Sequence, residues 1–225
     1  MIIITGASSG IGHELASLLS YEKDVFLISR RDPKLSFAKW IKCDLQDKLQ
    51  INSLIQRLKS YKKKIDLIVH CAGVMRSSSS ASLNIDYCIE SFMVNTIAPL
   101  IISSSLTKEI ARGKGKVIVI SSIASKLDIP GEAIYSSTKA ALDKGFELLA
   151  SDLSKLGVTF VKIHPCMIDT PMTSDLNDEQ KNYMNTKRSS RKEPKAKELA
   201  EYILEIKNQP SFITGSSILF GGIRR

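Results

Sequence analysis

Short runs of β-branched residues alternate along the chain with longer segments in which apolar residues recur every three or four positions. This alternation is typical of a parallel sheet that is covered by helices on both faces. Seven such runs predict strands at residues 2–5, 25–29, 39–43, 66–70, 116–121, 158–163 and 216–220. The pattern therefore predicts an α/β fold, in which a doubly wound parallel sheet forms the middle of a three-layer α/β/α sandwich.

Helical periodicity fills the intervals between these strands. Residues 47–60 and 199–204 each carry one apolar stripe that can pack on the sheet. The segments 84–110 and 134–156 are longer and more apolar than a single sheet contact requires. We therefore expect these two segments to pair with a second copy of the chain, in a homodimer or a homotetramer.

Two stretches interrupt the alternation. The sequence of residues 75–84 predicts a loop after the fourth strand. Residues 167–194 form a long insertion before the last helix. Insertions of this length in a compact domain are often lids over a binding site. The 225 residues suffice for one hydrophobic core. The sequence therefore predicts one domain, residues 1–225, with a lid at about 167–194.

The cysteines, histidines and apolar runs exclude several other classes of protein. The 4 cysteines are far apart and form no C-x-x-C pair, so neither a disulfide framework nor a zinc site is indicated. His13, His70 and His164 belong to different elements, so we expect no metal. No apolar run approaches the roughly 20 residues of a membrane span. We expect a cytoplasmic protein with reduced thiols and no membrane contact.

The formal net charge of +9 raises the question of nucleic-acid binding. Much of the excess lies in residues 61–64, in residues 187–197, and at Arg224 and Arg225. Aromatic residues that could stack on bases are not interleaved with these cations. We therefore interpret the basic segments as solvated surface and expect no nucleic-acid partner.

The first strand is followed at once by the glycine-rich sequence TGASSGIG. Gly6 would permit a tight turn, Gly10 a close approach of a ligand, and Gly12 close packing of the next helix on the sheet. Free N–H groups, the helix dipole and the hydroxyls of Ser8 and Ser9 would then attract a pyrophosphate. The spacing differs from G-x-G-x-x-G, so a plain turn of small residues stays an alternative.

The ends of the second and third strands bear on which dinucleotide would bind. Arg30 and Arg31 stand where an acidic residue would bind a ribose 2′-hydroxyl, and guanidinium groups suit a 2′-phosphate instead. The sequence therefore favours NADP(H) over NAD(H), although an exposed basic pair would also fit this position. Asp44 either accepts a hydrogen bond from an adenine amino group or caps the following helix.

Tyr135 and Lys139 are four residues apart on a predicted helix and so share one face. There the ammonium would lower the pKa of the phenol, which could then act as a general acid or base near neutral pH. The same spacing is common in surface pairs. The catalytic interpretation is favoured by Ser121 and Ser122, which leave the fifth strand at the edge where open α/β sheets bind ligands.

Seven motifs, in this order, resemble those of the short-chain dehydrogenase/reductase family: TGASSGIG, CDL at 43–45, CAG at 71–73, Asn95 in VNTIAP, ISS at 120–122, Tyr135-x-x-x-Lys139, and P-x-x-I-x-T at 165–170. The resemblance implies a Rossmann-type oxidoreductase that transfers a hydride between a nicotinamide and a carbonyl or secondary alcohol carbon. It implies that Tyr135 protonates the substrate oxygen, that Ser122 polarises it, and that Lys139 holds the nicotinamide ribose. Asn95, at a helix kink, would anchor a water of the proton relay.

The glycine turn, the strand ends and the segment after the sixth strand supply the predicted cofactor-binding residues. These are Gly6, Ser8, Ser9, Gly10, Ile11, Gly12, Arg30, Arg31, Asp44, Leu45, Ala72, Gly73, Tyr135, Lys139, Pro165, Ile168 and Thr170. The chain departs from the family at three positions. His70 and Cys71 replace the usual asparagines, and Cys166 replaces a glycine. Cys166 is either buried and inert, or it narrows the nicotinamide pocket or presents a reactive thiol.

Two other functions stay open. The chain could be a catalytically silent dinucleotide-binding regulator, although a regulator has no need of the complete Ser, Tyr and Lys set. It could also be a 3-oxoacyl-carrier-protein reductase, in which Lys187, Arg188, Arg191 and Lys192 dock the acidic carrier. We expect instead a reductase of a small carbonyl or alcohol substrate, whose lid covers the substrate.

Overall fold

A computed structural model describes residues 1–77, 80–174 and 176–224 of the chain. Arg225 and small parts of the two interrupting stretches, at residues 78, 79 and 175, lie outside the described residues. All seven predicted strands are present and run parallel in one sheet, in the order β3-β2-β1-β4-β5-β6-β7. They are β1 (Ile2–Thr5), β2 (Val25–Ser29), β3 (Lys39–Lys42), β4 (Leu67–His70), β5 (Lys116–Ile120), β6 (Thr159–Pro165) and β7 (Ser216–Phe220).

Helices cover both faces of this sheet, so the predicted fold class is confirmed. They are α1 (Gly10–Ser17), α2 (Lys48–Ser60), α3 (Ile85–Phe92), α4 (Ala98–Ser105), α5 (Thr107–Gly113), α6 (Ala133–Leu153), α7 (Asp178–Thr186) and α8 (Ala196–Asn208). The strand order changes direction between β1 and β4. In open α/β sheets, this switch point marks the crevice in which ligands bind.

Two buried clusters hold the layers together, one on each face. Successive side chains of a strand point to opposite faces. Ile3 therefore joins the cluster under α2, α4, α5 and α6, whereas Ile2 and Ile4 join the cluster under α1 and α8. Because both faces of the sheet are covered, the central strands are apolar at nearly every position.

The apolar segment predicted at 84–110 is not one regular helix. A π-helical turn at Met93–Ile97 separates α3 from α4, and α5 follows α4 after a single residue. Turns of this kind are rare and are frequent at functional sites. This turn is the predicted kink that carries Asn95.

The expectation that no stretch is long enough to span a membrane is wrong for this same segment. Within the described residues, the helical run Ile85–Ser105 has 21 residues and a mean hydropathy of 1.4, enough by length and composition. Its most apolar window is 44% buried inside the protein, and α3 and α4 pack against α6. The run therefore has the composition of a helix that buries one face in a protein core.

The insertion at 167–194 contains a helix, α7, that the sequence analysis missed. Its N-terminus has a capping box: the Asn177 Oδ1 atom accepts a hydrogen bond from the Gln180 backbone N–H at 2.9 Å, and the Gln180 Oε1 atom accepts one from the Asn177 N–H at 3.0 Å. Asp178 and Glu179 in the first turn complement the helix dipole. The spacing N-x-x-Q before an acidic turn was the signal that could have predicted this helix.

Candidate active site

The carboxyl ends of the central strands open on one cleft. Its walls come from the glycine turn, the ends of β2 to β6 and the segment after β6. Every predicted cofactor-binding residue except Gly12 lines this cleft, and so does Ser122. Asn95 lies behind the wall, next to Val94, which lines it. The structure therefore brings residues from both ends of the chain to one place.

The glycine turn needs its glycines for conformation and for space. Gly6 has a φ of 72°, and a Cβ there would lie 2.6 Å from the backbone nitrogen of Ala72. Gly12 lies in the first turn of α1, where a Cβ would overlap the carbonyl oxygen of Gly6. The helix α1 can begin close to β1 and β4 only because both Cβ atoms are absent.

This turn leaves room and hydrogen-bond donors for an anion. Ser9 precedes α1 in an extended conformation, and its side chain does not cap the helix. The first N–H groups of α1 therefore have no side-chain partner from Ser9 and face the cleft. Across the cleft, the side chain of Thr170 would be 3.5 Å from a Cβ on Gly10. The cradle fits the pyrophosphate of a dinucleotide.

Arg30 and Arg31 lie at the end of the cleft beyond β2. Both are exposed, and neither forms an ion pair within the described part of the chain. The backbone around them is fixed, because the Ser29 hydroxyl donates to the Arg31 carbonyl oxygen at 2.7 Å and Trp40 Nε1 donates to Ser29 Oγ at 3.2 Å. The two guanidinium groups are thus available to a ligand in the cleft.

Asp44 does not cap α2, so that alternative is wrong. The cap is Asp47, whose Oδ1 accepts hydrogen bonds from the backbone N–H groups of Leu49 at 2.8 Å and Gln50 at 3.2 Å. Asp44 lies three residues earlier, and its Oδ1 accepts from the Gln46 N–H at 3.0 Å. Its carboxylate lines the cleft, where the second oxygen can accept from an adenine amino group.

Tyr135 lies near the start of α6, with its side chain against Ser122. The expectation that Lys139 makes this phenol acidic is wrong for the free chain. Burial raises the pKa of Tyr135 well above its usual value, a hydrogen bond with Ser122 opposes the rise only in part, and the charge of Glu132 adds to it. The loss of hydration is the largest of these effects, so the free phenol keeps its proton.

Lys139 is fully enclosed one turn further along α6. Its Nζ donates a hydrogen bond to the Ile120 carbonyl oxygen at 2.8 Å and lies 5.6 Å from the centre of the Tyr135 ring. Burial lowers the pKa of Lys139 to about 8, and the charge of the Asp143 carboxylate opposes this fall. The ammonium is thus held between the end of β5 and the phenol.

Asn95 connects the loop after β4 to α6. Its Oδ1 accepts from the Val74 N–H at 2.8 Å, and its Nδ2 donates to the Val74 carbonyl oxygen at 2.9 Å and to Thr138 Oγ1 at 3.0 Å. The Thr138 hydroxyl donates in turn to the Tyr135 carbonyl oxygen at 2.7 Å. The side chain therefore fixes the floor of the site, and its role with a bound water stays a prediction.

The family model for short chain dehydrogenases matches residues 1–181 of the chain. The chain belongs to the short-chain dehydrogenase family. It is 37% identical to an uncharacterized oxidoreductase of Staphylococcus haemolyticus over 186 residues, which cover 76% of this chain and 79% of that protein. It is 29% identical to an uncharacterized oxidoreductase of Staphylococcus aureus strain MW2 over 227 residues, covering 96% of this chain and 94% of that protein.

Solved structures of similar proteins have the same fold. A 4-hydroxyisoleucine dehydrogenase complexed with NADH is 25% identical, has a TM-score of 0.89, and matches 98% of this chain and 97% of its own. A short chain dehydrogenase from Burkholderia cenocepacia in complex with NADP is 24% identical, has a TM-score of 0.83, and matches 98% of this chain and 96% of its own.

A buried polar network behind Lys139 was not predicted from the sequence of this dehydrogenase. Asp143 Oδ2 accepts a hydrogen bond from the Ser125 hydroxyl at 2.6 Å and lies 2.9 Å from His164 Nε2. Burial by itself would raise the pKa of Asp143, but its contacts with His164, Ser125 and Ser121 keep it below the usual value. The carboxylate is one turn beyond Lys139 on α6, a spacing visible in the sequence, whereas the contact with β6 is not.

The two cysteines that depart from the family pattern both line the cleft. Burial raises the pKa of Cys71 to about 12 and that of Cys166 to about 11. Both thiols are therefore protonated at neutral pH, and a thiol is a poor nucleophile. Of the interpretations of Cys166, the structure favours the buried and inert one.

Two of the four cations proposed to dock a carrier protein already have internal partners. Arg188 Nη1 donates to Asn185 Oδ1 at 3.1 Å and lies 3.8 Å from a Glu193 carboxylate oxygen. Lys192 Nζ donates to Glu198 at 2.8 Å. These contacts reduce the positive charge that the lid presents to a partner.

Proposed function

We propose that this dehydrogenase transfers a hydride between NADP(H) and a carbonyl or secondary alcohol substrate. One observation carries the proposal: Ser122, Tyr135 and Lys139 meet in the same cleft that the glycine turn borders. A structural role alone does not account for this set, because each of the three polar side chains is buried at a considerable cost in hydration.

The side chains have separate tasks in this proposal. A nicotinamide in the cleft supplies the hydride during reduction and accepts it during oxidation. The Tyr135 phenol donates its proton to the oxygen of the carbonyl group as negative charge develops there, and the Ser122 hydroxyl donates a second hydrogen bond to that oxygen. The Lys139 ammonium stabilises the phenolate that is left, and its hydrogen bond can pass from the Ile120 carbonyl to a ribose hydroxyl.

The protonated state of Tyr135 in the free chain suits reduction. A phenol that keeps its proton in the free chain is ready to donate it, and the developing alkoxide is basic enough to take it. Oxidation needs the opposite state, in which the phenolate removes the proton of the alcohol. We therefore propose reduction as the working direction.

We propose NADP(H) as the preferred cofactor because Arg30 and Arg31 are exposed at the ribose end of the cleft. NAD(H) is the competing cofactor, since the similar 4-hydroxyisoleucine dehydrogenase is complexed with NADH. A 2′-phosphate would give the two guanidinium groups an anionic hydrogen-bond partner, and a 2′-hydroxyl would not.

We propose that the dehydrogenase pairs with itself through α3, α4 and α6. Exposed apolar side chains on these helices include Ile89, Ile101 and Leu148, which are 56%, 45% and 55% exposed. A homodimer or homotetramer would cover them. The free cysteines also fit the reducing conditions of the cytoplasm, which we propose as its location.

The experiment that tests the function is a screen of ketones and alcohols against both cofactors, followed through the absorbance of the reduced nicotinamide. The variant Tyr135→Phe should lower turnover about 10²- to 10⁴-fold, the usual contribution of a general acid. Its affinity for the cofactor, measured by fluorescence titration, should stay within about three-fold, because the phenol oxygen is not needed for binding.

The matched control for that variant is Tyr202→Phe, on α8, where the ring packs against Phe220 away from the cleft. It should keep full activity. Undiminished turnover in Tyr135→Phe would refute the catalytic assignment, whereas a wild type that binds the dinucleotide and turns over no ketone or alcohol would favour a regulator.

A further inference from the structure

A second cavity adjoins the catalytic cleft on the side away from the glycine turn. Its walls come from residues 129–132, just before α6, and from the lid helix α7 with the residues before it. Met184 lines both the cleft and this cavity. The two cavities are therefore adjacent, and a substrate at Tyr135 would have to extend past Met184 to reach the second one.

Glu132 is the buried charged residue of this cavity. It precedes α6 directly and is only 3% exposed, but its side chain makes no hydrogen bond that caps the helix. One carboxylate oxygen, Oε1, accepts a hydrogen bond from the Ser77 hydroxyl. The other, Oε2, is buried and has no hydrogen-bond partner among the described residues. A buried carboxylate with an unpaired oxygen is costly unless a ligand completes it.

The charge of the cavity points to the kind of ligand. The chain carries a net charge of +9, yet the described residues that line the cavity include Glu132 and Glu179 and no Lys, Arg or His. No ion pair within the described residues involves Glu132. A cationic hydrogen-bond donor would both donate a hydrogen bond to Oε2 and neutralise the buried charge.

We propose that the substrate of this dehydrogenase is an amino ketone or amino alcohol, whose protonated amine binds Glu132 in the second cavity while the reacting carbon lies at Tyr135. This inference rests on the proposed function. The cavity has no cation among its described lining residues to bind a carboxylate, so a simple amine suits it better than an amino acid.

The amine takes no part in the redox step. In oxidation, the alcohol carbon gives a hydride to the oxidised nicotinamide, and its hydroxyl proton passes to the Tyr135 phenolate. The products are the ketone, the reduced nicotinamide and the protonated Tyr135, and the ammonium is unchanged.

A series of 2-alkanols tests the proposal. Each chain ends, one to four carbons from the carbinol carbon, in an amine, a hydroxyl or a methyl group, and kcat/KM is measured at pH 8, where the amines are protonated. For the best chain length, the wild type should prefer the amine at least about ten-fold over both neutral analogues. Glu132→Gln should abolish this preference, mainly through KM.

The matched control is Asp178→Asn, which removes one carboxylate from the first turn of α7 outside the cavity lining. It should keep the preference. Equal use of the three analogues by the wild type, equal use of amine and hydroxyl, or a preference that survives in Glu132→Gln would each overturn the inference. The wild-type result decides by itself if Glu132→Gln does not fold.

Failure of the proposed function gives a different result. If the wild type oxidises or reduces no alcohol or ketone with either cofactor, the oxidoreductase activity is wrong and the substrate class falls with it. If the methyl analogue is turned over without a preference for the amine, only the substrate class is wrong.

Discussion

The two sides of the cleft are built by different means. On the cofactor side, formed by β1, the glycine turn, α1 and the ends of β2 and β3, backbone atoms touch backbone atoms. A Cβ on Gly6 would lie 2.6 Å from the backbone of Ala72. On the proposed substrate side, formed by residues 123–132 and the proposed lid at 167–194, side chains of loops and of the helix α7 make the walls. The cofactor side leaves no space for larger side chains, whereas the substrate side can change its lining residues without moving the sheet.

The clusters beneath the two sides differ in size as well. The helices α1 and α8 lie on a continuous cluster that includes Leu15 and Leu199, both fully buried. The lid has a small cluster of its own, whose buried members are Met167, Leu176 and Met184. Segments with few buried apolar contacts open at a lower free energy than the core does. We therefore expect a rigid cofactor side and a lid that opens independently.

Gly12→Ala should have the largest effect, because it breaks the backbone contact on the cofactor side. The new Cβ would overlap the Gly6 carbonyl oxygen, and backbone cannot move aside as a side chain can. We expect the free energy of unfolding to fall by about 3 kcal/mol, the upper part of the usual range for overpacking. Binding of the dinucleotide should fall below detection. Chemical unfolding and fluorescence titration measure the two effects.

The control for this variant is Gly215→Ala. Gly215 also has a positive φ, 79°, but no atom lies within 4 Å of its Cβ position. It should lose about 1 kcal/mol through backbone strain and bind the cofactor normally. If Gly12→Ala bound the dinucleotide as the wild type does, the cofactor side would not be the rigid one.

Arg30→Asp should have the next largest effect, on the choice of cofactor. It removes a charged hydrogen-bond donor from the ribose end and adds a carboxylate, which repels a 2′-phosphate and accepts from a 2′-hydroxyl. Hydrogen bonds to charged groups are worth about 1.5–3 kcal/mol, so the ratio of kcat/KM for NADPH to that for NADH should fall about 10- to 100-fold.

The same change of charge elsewhere provides the control. Arg57→Asp alters the exposed face of α2 outside the cleft and should leave the cofactor ratio within about two-fold. An unchanged ratio in Arg30→Asp would show that Arg30 does not contact the 2′-phosphate.

Much of the cofactor side could be predicted from the sequence. Its strands β1 and β2 are runs of four and five buried residues. Hydrophobic period and turn chemistry are local properties of the sequence. The glycine turn and the predicted residues at the strand ends lie close together because parallel strands end at one edge of the sheet. Local pattern and global fold agree here.

The features that escaped prediction depend on contacts between distant residues. The pairing of Asp143 with His164 joins a helix to a strand 21 residues further along the chain. The acidity of Tyr135 was misjudged for a related reason. The spacing to Lys139 is visible in the sequence, but the burial that raises the pKa of the phenol is set by the whole fold. The charged neighbours of a residue on a helix can be identified from the sequence. The hydration that the residue loses on folding cannot.

Met184→Ala should have the smallest effect on the stability of the fold. At the site, it should affect the binding of substrate and not that of the cofactor. The side chain joins the lid cluster and lines both cavities, so its loss should raise the substrate KM several-fold. Because the lid opens by itself, the melting temperature should change by less than about 2 °C, and cofactor affinity should not change. Ile203→Ala, under α8, is the counterpart in the main core and should lower the free energy of unfolding by about 3 kcal/mol without affecting KM. If Met184→Ala destabilised the whole protein as much as Ile203→Ala, the lid would unfold together with the sheet, and the two sides of the cleft would form one cooperative unit.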